Sequence, residues 1–214
     1  MTKILVVDDH AVVRHGVKQI LSEQFPGSVV GDAQNAEEMI ERVQKHTWDV
    51  VILDVGMPGK SGLDALKELK QVRPKLPVLV LSAYPEDQLA LRMLKAGAAG
   101  YLSKDSAPNE LVQALRKILG GGRFVSASVA ELLALNLEND LERPLHEQLS
   151  DREYQVMCLM AVGKSLKEIS DDLCVSISTI NTYRARILEK MQLKNNTELT
   201  HYAIQNRLVN RLIS

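Results

Sequence analysis

The chain has 214 residues, 45% hydrophobic and 25% charged, with a net charge of −1 at pH 7. That length suits one large or two modest domains, and the composition is that of an ordinary globular protein, which sets aside disordered and fibrous classes. No apolar run approaches the ~20 residues of a membrane helix; the run in MTKILVVDD is too short for a signal peptide and ends in acids, so a soluble, cytoplasmic protein is expected.

Over residues 1–122, short apolar runs alternate with amphipathic stretches. Strands are expected near 3–7, 28–32, 50–53, 78–81 and 100–103, and helices near 11–24, 36–46, 63–72, 86–96 and 108–119. Runs such as ILVV, VVIL and VLVL are unbroken, as in strands buried on both faces of a parallel sheet. Asn35, with Glu38 three residues on, makes a start like a capping box. Pro108 fits a first helical turn, and Gly120-Gly121-Gly122 stops the fifth helix. This repeat predicts a doubly wound α/β domain with a five-stranded parallel sheet. Residues 123–147 read as a linker helix and then an acidic tether; the helix's Leu132, Leu133, Leu135 and Leu137 suit a small core on its own domain, an interdomain seal or a dimer seam, the first being the simplest. Residues 148–214 predict an all-α domain of four helices near 151–161, 166–173, 178–191 and 197–206. This last segment is the only one in which basic residues outnumber acidic ones. Its two cysteines, Cys158 and Cys174, lack metal-ligand spacing and are expected to be reduced and buried.

Four strand ends carry reactive side chains: Asp8 and Asp9, Asp54, Ser82 and Lys104. In an open parallel sheet the chemistry lies beyond the carboxyl ends of the strands. Three carboxylates gathered there repel one another unless a cation joins them, and hard oxygen donors suit Mg²⁺. With the Lys104 ammonium added, the set suits a transferring phosphoryl group. Taken singly, each Asp is an ordinary turn former and Lys104 an ordinary surface charge. It is their order along successive strands that favours a site. A phosphohydrolase would want D-x-D on the first strand, where this chain has an adjacent pair. A dinucleotide site would want G-x-G-x-x-G there, and the motif is absent. His10 should lie near the acids without acting as a base. His46, His146 and His201 read as surface residues.

The segment LKEISDDLCVSISTINTYRARILEKM has the shape of a helix-turn-helix. Ile169, Leu173 and Val175 supply its buried side, and Ser178 is the expected N-cap of its second helix. At roughly 100° per residue, Ile180, Ile187 and Met191 share the inward face. Ser178, Thr182, Ala185, Arg186 and Glu189 then face outward, flanked by Asn181 and Lys190. Recognition helices read bases near their N-terminal half, so Asn181, Thr182 and Ala185 are the candidate base contacts. Lys167, Arg184, Arg186 and Lys190 are the candidate phosphate contacts. A plain helical packing unit with solvated charges would show a similar stripe.

The motifs VVDDH, ILDVGMPGKSG, VLVLSAY and GYLSKD resemble the receiver domain of bacterial two-component response regulators. The elements LSDRE, KEI, SISTI, ILEKM and the final YA resemble the LuxR-type DNA-binding domain of the NarL/FixJ family. Asn181-Thr182-Tyr183 matches a GacA/UvrY-like subgroup where other members carry Lys-x-His. The resemblance implies a flavodoxin-like receiver, strand order 2-1-3-4-5, and Asp54 as phosphoacceptor. It further implies Mg²⁺ held by Asp9, Asp54 and the Gly56 carbonyl, with Asp8 acting through water. Ser82, Lys104 and Tyr101 would sense the phosphoryl group, Tyr101 by moving inward. By side-chain size, Gly56 and Tyr84 would tune its lifetime. The implied partners are a sensor histidine kinase or phosphotransfer protein, promoter DNA, and a second copy on DNA through the helix near 197–206. No enzymatic role beyond self-phosphorylation and self-dephosphorylation is implied.

Overall fold

Five short strands form one parallel sheet: β1 (Lys3–Val7), β2 (Val29–Ala33), β3 (Val50–Asp54), β4 (Val78–Ser82) and β5 (Gly100–Ser103), in the order β2-β1-β3-β4-β5. The structure, a computed structural model, describes residues 1–57, 60–83, 86–138, 144–206 and 208–209. Tyr84, the tether residues 139–143 and the side chains of Leu132, Leu135 and Leu137 lie outside what is described. By its contacts the chain divides into two units, Met1–Glu86 with Ala90–Ala127, and Asp87–Leu89 with Ser128–Ser214.

The helices α1 (Ala11–Gln24), α2 (Ala36–Lys45), α3 (Gly62–Val72), α4 (Glu86–Lys95) and α5 (Ala107–Leu119) alternate with the strands. Every residue of β3 and β4 is buried, which is why these runs are aliphatic throughout rather than alternating. One sheet face, with Ile4, Val6, Ile52 and Leu81, packs against Val17 and Leu21 of α1 and Leu111, Leu115 and Ile118 of α5. The alternate residues Leu5, Val7, Leu53 and Val80 point the other way and are equally buried. The α2 cap differs slightly from a closed box. Asn35 Oδ1 accepts from the Glu38 amide at 2.8 Å, but Glu38 Oε2 accepts from the Gln34 amide at 2.9 Å, one residue before the cap. After α5, Gly121 takes φ +85, and the chain returns so that the Phe124 amide donates to Ala99 O at 2.9 Å. That short parallel pairing covers the outer edge of β5.

The second unit holds α6 (Ala127–Glu138), a 3₁₀ turn at Leu145–Gln148, α7 (Asp151–Ala161), α8 (Leu166–Asp172), α9 (Ile177–Lys190) and α10 (Asn196–Gln205). Ser150 with Glu153, and Ser165 with Glu168, close full capping boxes, and Gly163 at φ +91 makes the turn between α7 and α8. Three expectations are corrected here. The N-cap of α9 is Ser176, whose Oγ accepts from the Thr179 amide at 3.1 Å; Ser178 lies inside the first turn. Two serines spaced S-x-S both offer a cap, and the left-handed Cys174 (φ +51) before them places the helix start at the earlier one. Cys174 is exposed in that turn, and only Cys158 is buried. His146 is not a surface residue: it is half-buried, with Nδ1 3.0 Å from the Tyr202 hydroxyl and its ring against Tyr154.

Gly62 sets how the loop after β3 folds back. A Cβ there would stand 2.4 Å from Val55 Cα and 2.7 Å from Val55 Cγ1. Gly62→Ala is expected to lower stability by about 1–3 kcal/mol, the usual cost of overpacking against backbone. A urea midpoint unchanged from wild type would show that the loop yields freely.

Candidate functional site

Because the strands are parallel and in register, their carboxyl ends stand together. Asp54 pairs across to Leu81, and Ser82 to Ser103. Lys104 is one residue beyond β5, and its amide donates to Ser82 O at 2.7 Å. The Lys104 ammonium donates to Asp8 Oδ2 at 2.8 Å and to Asp54 Oδ2 at 2.9 Å. Asp54 Oδ1 accepts from the Gly56 amide at 3.0 Å. Asp8 Oδ1 accepts from the His10 amide at 2.8 Å, and Arg14 Nη1 donates to the Asp8 carbonyl at 2.7 Å. Asp8, Asp9, His10 and Asp54 each bring one ligand atom within 4.8 Å of the others. Asp8, Asp54 and Ser82 are all buried. Tyr101 is fully buried already, so the expected inward swing of its ring does not start from an exposed position. Tyr84 lies outside the described residues.

Burial raises the Asp54 pKa above its ordinary value, and the neighbouring Asp8 charge adds to that. Lys104 and the Gly56 amide oppose it. For Lys104, burial works against the ammonium, yet the Asp54 charge and the hydrogen bonds to both aspartates prevail and raise its pKa. Lys104 is therefore a fixed cation between two carboxylates. A third, Asp9, has a buried Oδ1 that accepts no hydrogen bond among the described residues. Three carboxylates against one ammonium, with an unsatisfied buried oxygen, fit a bound divalent cation.

In the second unit, α9 buries Ile180 and Ile187 and exposes Ser178, Asn181, Thr182, Ala185, Arg186 and Glu189, the faces expected from its period. Lys167 is exposed on α8. Two of the expected phosphate ligands have partners within the unit. Arg184 Nε donates to Asn196 Oδ1 at 2.7 Å, and Lys190 Nζ donates to the buried Glu153 Oε2 at 2.7 Å. Two residues were missed. Ile177 is 46% exposed at the start of α9; taking Ser176 as the cap would have placed it on the outward turn. Arg152 donates to Leu173 O at 3.2 Å and so ties α7 to the turn before α9. No spacing rule signals a contact across 21 residues.

Burial pushes the Glu153 pKa up, but hydrogen bonds from Lys190 and Ser150 outweigh it and hold the carboxyl below its ordinary 4.5. Its contribution to stability is therefore fully present above pH 4.5 and is lost as pH falls through the lower folded value. Glu153→Gln is expected to cost about 1–2 kcal/mol near neutral pH, with the gap to wild type closing in acid. Urea unfolding of the two proteins across that range checks it, and a gap that stays constant with pH counts against this role for Glu153.

Residues 4–116 match the family described as the response regulator receiver domain, and residues 147–203 match the bacterial regulatory proteins of the luxR family. The response regulator UvrY of Escherichia coli (strain K12) is 36% identical over 211 residues, 98% of this chain and 97% of that protein. The response regulator GacA of Pseudomonas aeruginosa PAO1 is 38% identical over 210 residues, 98% of each. Among solved structures, RcsB from Salmonella enterica serovar Typhimurium, bound to promoter rprA in the presence of the phosphomimetic BeF3⁻, is 26% identical. It covers 94% of this chain and 98% of that one with a TM-score of 0.60. Among the described residues no helix is long and apolar enough to cross a membrane. The strand-end acids and the helix-turn-helix thus lie where the matched families have their two domains, and the chain belongs to the response regulators that join a receiver domain to a LuxR-type DNA-binding domain.

Proposed function

We propose that this chain is a cytoplasmic transcriptional regulator whose Asp54 accepts a phosphoryl group from a sensor histidine kinase or phosphotransfer protein. Its domains are the receiver, 1–122, a linker helix and tether, 123–147, and the DNA-binding domain, 148–214. The observation that carries this reading is the Lys104 ammonium, hydrogen-bonded at once to Asp8 and Asp54 at the carboxyl edge of the sheet. Phosphoryl transfer is chiefly a matter of position and charge, and both are supplied there.

An Asp54 carboxylate oxygen forms the new P–O bond as the P–N bond of the donor phosphohistidine breaks and the imidazole leaves. Asp9, Asp54 and the Gly56 carbonyl would hold Mg²⁺, with Asp8 through water, and the ion would supply positive charge opposite the phosphoryl oxygens. Lys104, already charged and 2.9 Å from Asp54, turns to the new group, which brings roughly two negative charges. Ser82 takes one of its oxygens. With Tyr101 packed inside from the outset, the response is a repacking around a buried ring. Self-phosphorylation from small donors and slow-to-moderate hydrolysis of the acyl phosphate are the only turnover, and the side-chain sizes at Gly56 and Tyr84 set its lifetime.

On DNA, the N-terminal half of α9 enters the major groove as part of a homodimer. Asn181, Thr182 and Ala185 meet base edges, joined by Ile177, whose aliphatic side chain suits a thymine methyl. Arg186 and Lys167 contact phosphates directly. Arg184 and Lys190 do so in second place, because each first holds α9 to α10 or α7.

Asp54→Asn should reduce labelling by acetyl phosphate to background while the far-ultraviolet circular dichroism stays native; label at the wild-type level on another residue would refute the assignment. On DNA, Asn181→Ala should lose about 1–3 kcal/mol on the preferred site and blur one base position. Arg186→Ala should instead weaken all duplexes alike and reduce the salt slope by about one. Binding isotherms over a salt series on specific and scrambled duplexes separate the two. Equal losses for Asn181→Ala on both duplexes would mean that α9 is not docked in this register.

A further inference from the structure

We infer that His10 is itself a ligand of the cation at the acidic edge, and that its imidazole makes the site favour Mn²⁺ and later first-row ions such as Co²⁺ over Mg²⁺. This rests on the phosphoacceptor reading, since it concerns the same cation. His10 Nδ1 lies 2.9 Å from Asp9 Oδ1 and 3.3 Å from Asp8 Oδ1. Neighbouring ligands of an octahedral ion with bonds of about 2.1 Å stand about 3 Å apart. The His10 nitrogen and the Asp9 oxygen thus already have the separation of adjacent ligands of one ion, with Asp8 Oδ1 a little farther off.

An ordinary hydrogen bond from His10 to Asp9 would explain the shorter distance. Yet Asp9 Oδ1 accepts no hydrogen bond among the described residues, although it is buried. The ring nitrogen and the oxygen face each other at contact distance without the alignment of donor and acceptor, as two ligands of one ion do. Among the described residues the His10 side chain meets only the Asp8 and Asp9 carboxylates. His10 is the N-cap residue of α1 but makes no side-chain cap hydrogen bond, and its backbone alone serves, donating to Asp8 Oδ1 and accepting from the Arg14 amide. The ring is 63% exposed, so binding through Nδ1 leaves the rest of it in solvent.

The chemistry gives the selectivity. Carboxylates, carbonyls and water suit Mg²⁺ and Mn²⁺ alike, whereas imidazole suits transition ions, whose affinity rises from Mn²⁺ towards Co²⁺ and beyond. Mg²⁺ keeps its waters and gains little from a nitrogen donor. Adding one imidazole to the Asp9 and Asp54 carboxylates and the Gly56 carbonyl therefore separates ions that an all-oxygen site would bind more evenly.

The test uses the full chain and Mn²⁺ as probe. Free Mn²⁺ is titrated by its electron paramagnetic resonance signal, with Mg²⁺ and Co²⁺ measured by competition. Electron spin echo modulation reports a directly bound ¹⁴N. Wild type should show one ¹⁴N-coupled Mn²⁺. In His10→Ala and His10→Gln the coupling should vanish, Mn²⁺ affinity should fall about tenfold, and the preference for Mn²⁺ over Mg²⁺ should shrink by a similar factor. Mn²⁺ bound to wild type without nitrogen coupling, or coupling that survives both substitutions, overturns the role of His10 and leaves the phosphoacceptor reading intact. Failure of wild type to bind any of the three ions overturns that reading and this inference with it.

Discussion

The contact on which the first domain depends is the Lys104 ammonium lodged between Asp8 and Asp54, which are 96 and 50 residues away in sequence. Two carboxylates buried side by side strongly resist ionising together. A cation at hydrogen-bond distance from both is what lets them remain there. The contact exists only because β1, β3 and β5 are parallel, in register, and end at the same edge. The aliphatic strands, the helices that bury them and the tight passage of Gly62 past Val55 all hold that edge in place. The same gathered negative charge that makes the edge costly to bury suits it to added positive charge. Local stability and function are therefore in opposition at this site, as is usual where buried charge is retained.

The second domain solves a different problem: presenting one polar helix face rigidly with few aromatic residues to pack beneath it. It does so with caps and with cations used internally. Glu153 accepts from the Ser150 amide as part of its capping box and also from Lys190, so one buried carboxylate joins the start of α7 to the end of α9. Arg184 joins α9 to Asn196 at the start of α10. The basic residues of this domain thus divide into those that set the posture of α9 and those, such as Arg186 and Lys167, that lie exposed. A count of positive charges alone cannot make that division, because a charge that appears available in a helical projection may already be paired inside the domain.

Much of this was legible in the amino-acid order. Strand and helix limits fell within a residue or two, because unbroken aliphatic runs and 3.6-residue stripes are direct records of burial on two faces or one. The acidic site was legible because parallel topology sends every strand end to one edge, so four local motifs implied one cluster. The outward face of α9 followed from the buried Ile180 and Ile187. What depended on distant neighbours was not legible. Ser176 and Ser178 are equally good caps by type, and the left-handed Cys174 decides between them. His146 looks like a surface histidine until Tyr202 and Tyr154 close around it. Lys190 looks like a freely solvated cation until Glu153 is found opposite. The sequence by itself determined the periodicities, the strand-end chemistry and the family, since these rest on residues near one another in the chain or on motifs with a fixed order. Only the tertiary structure decided which polar groups already have partners, as Lys190 has in Glu153, because hydrogen-bond satisfaction depends on what comes within about 3 Å in space, whatever the distance along the chain.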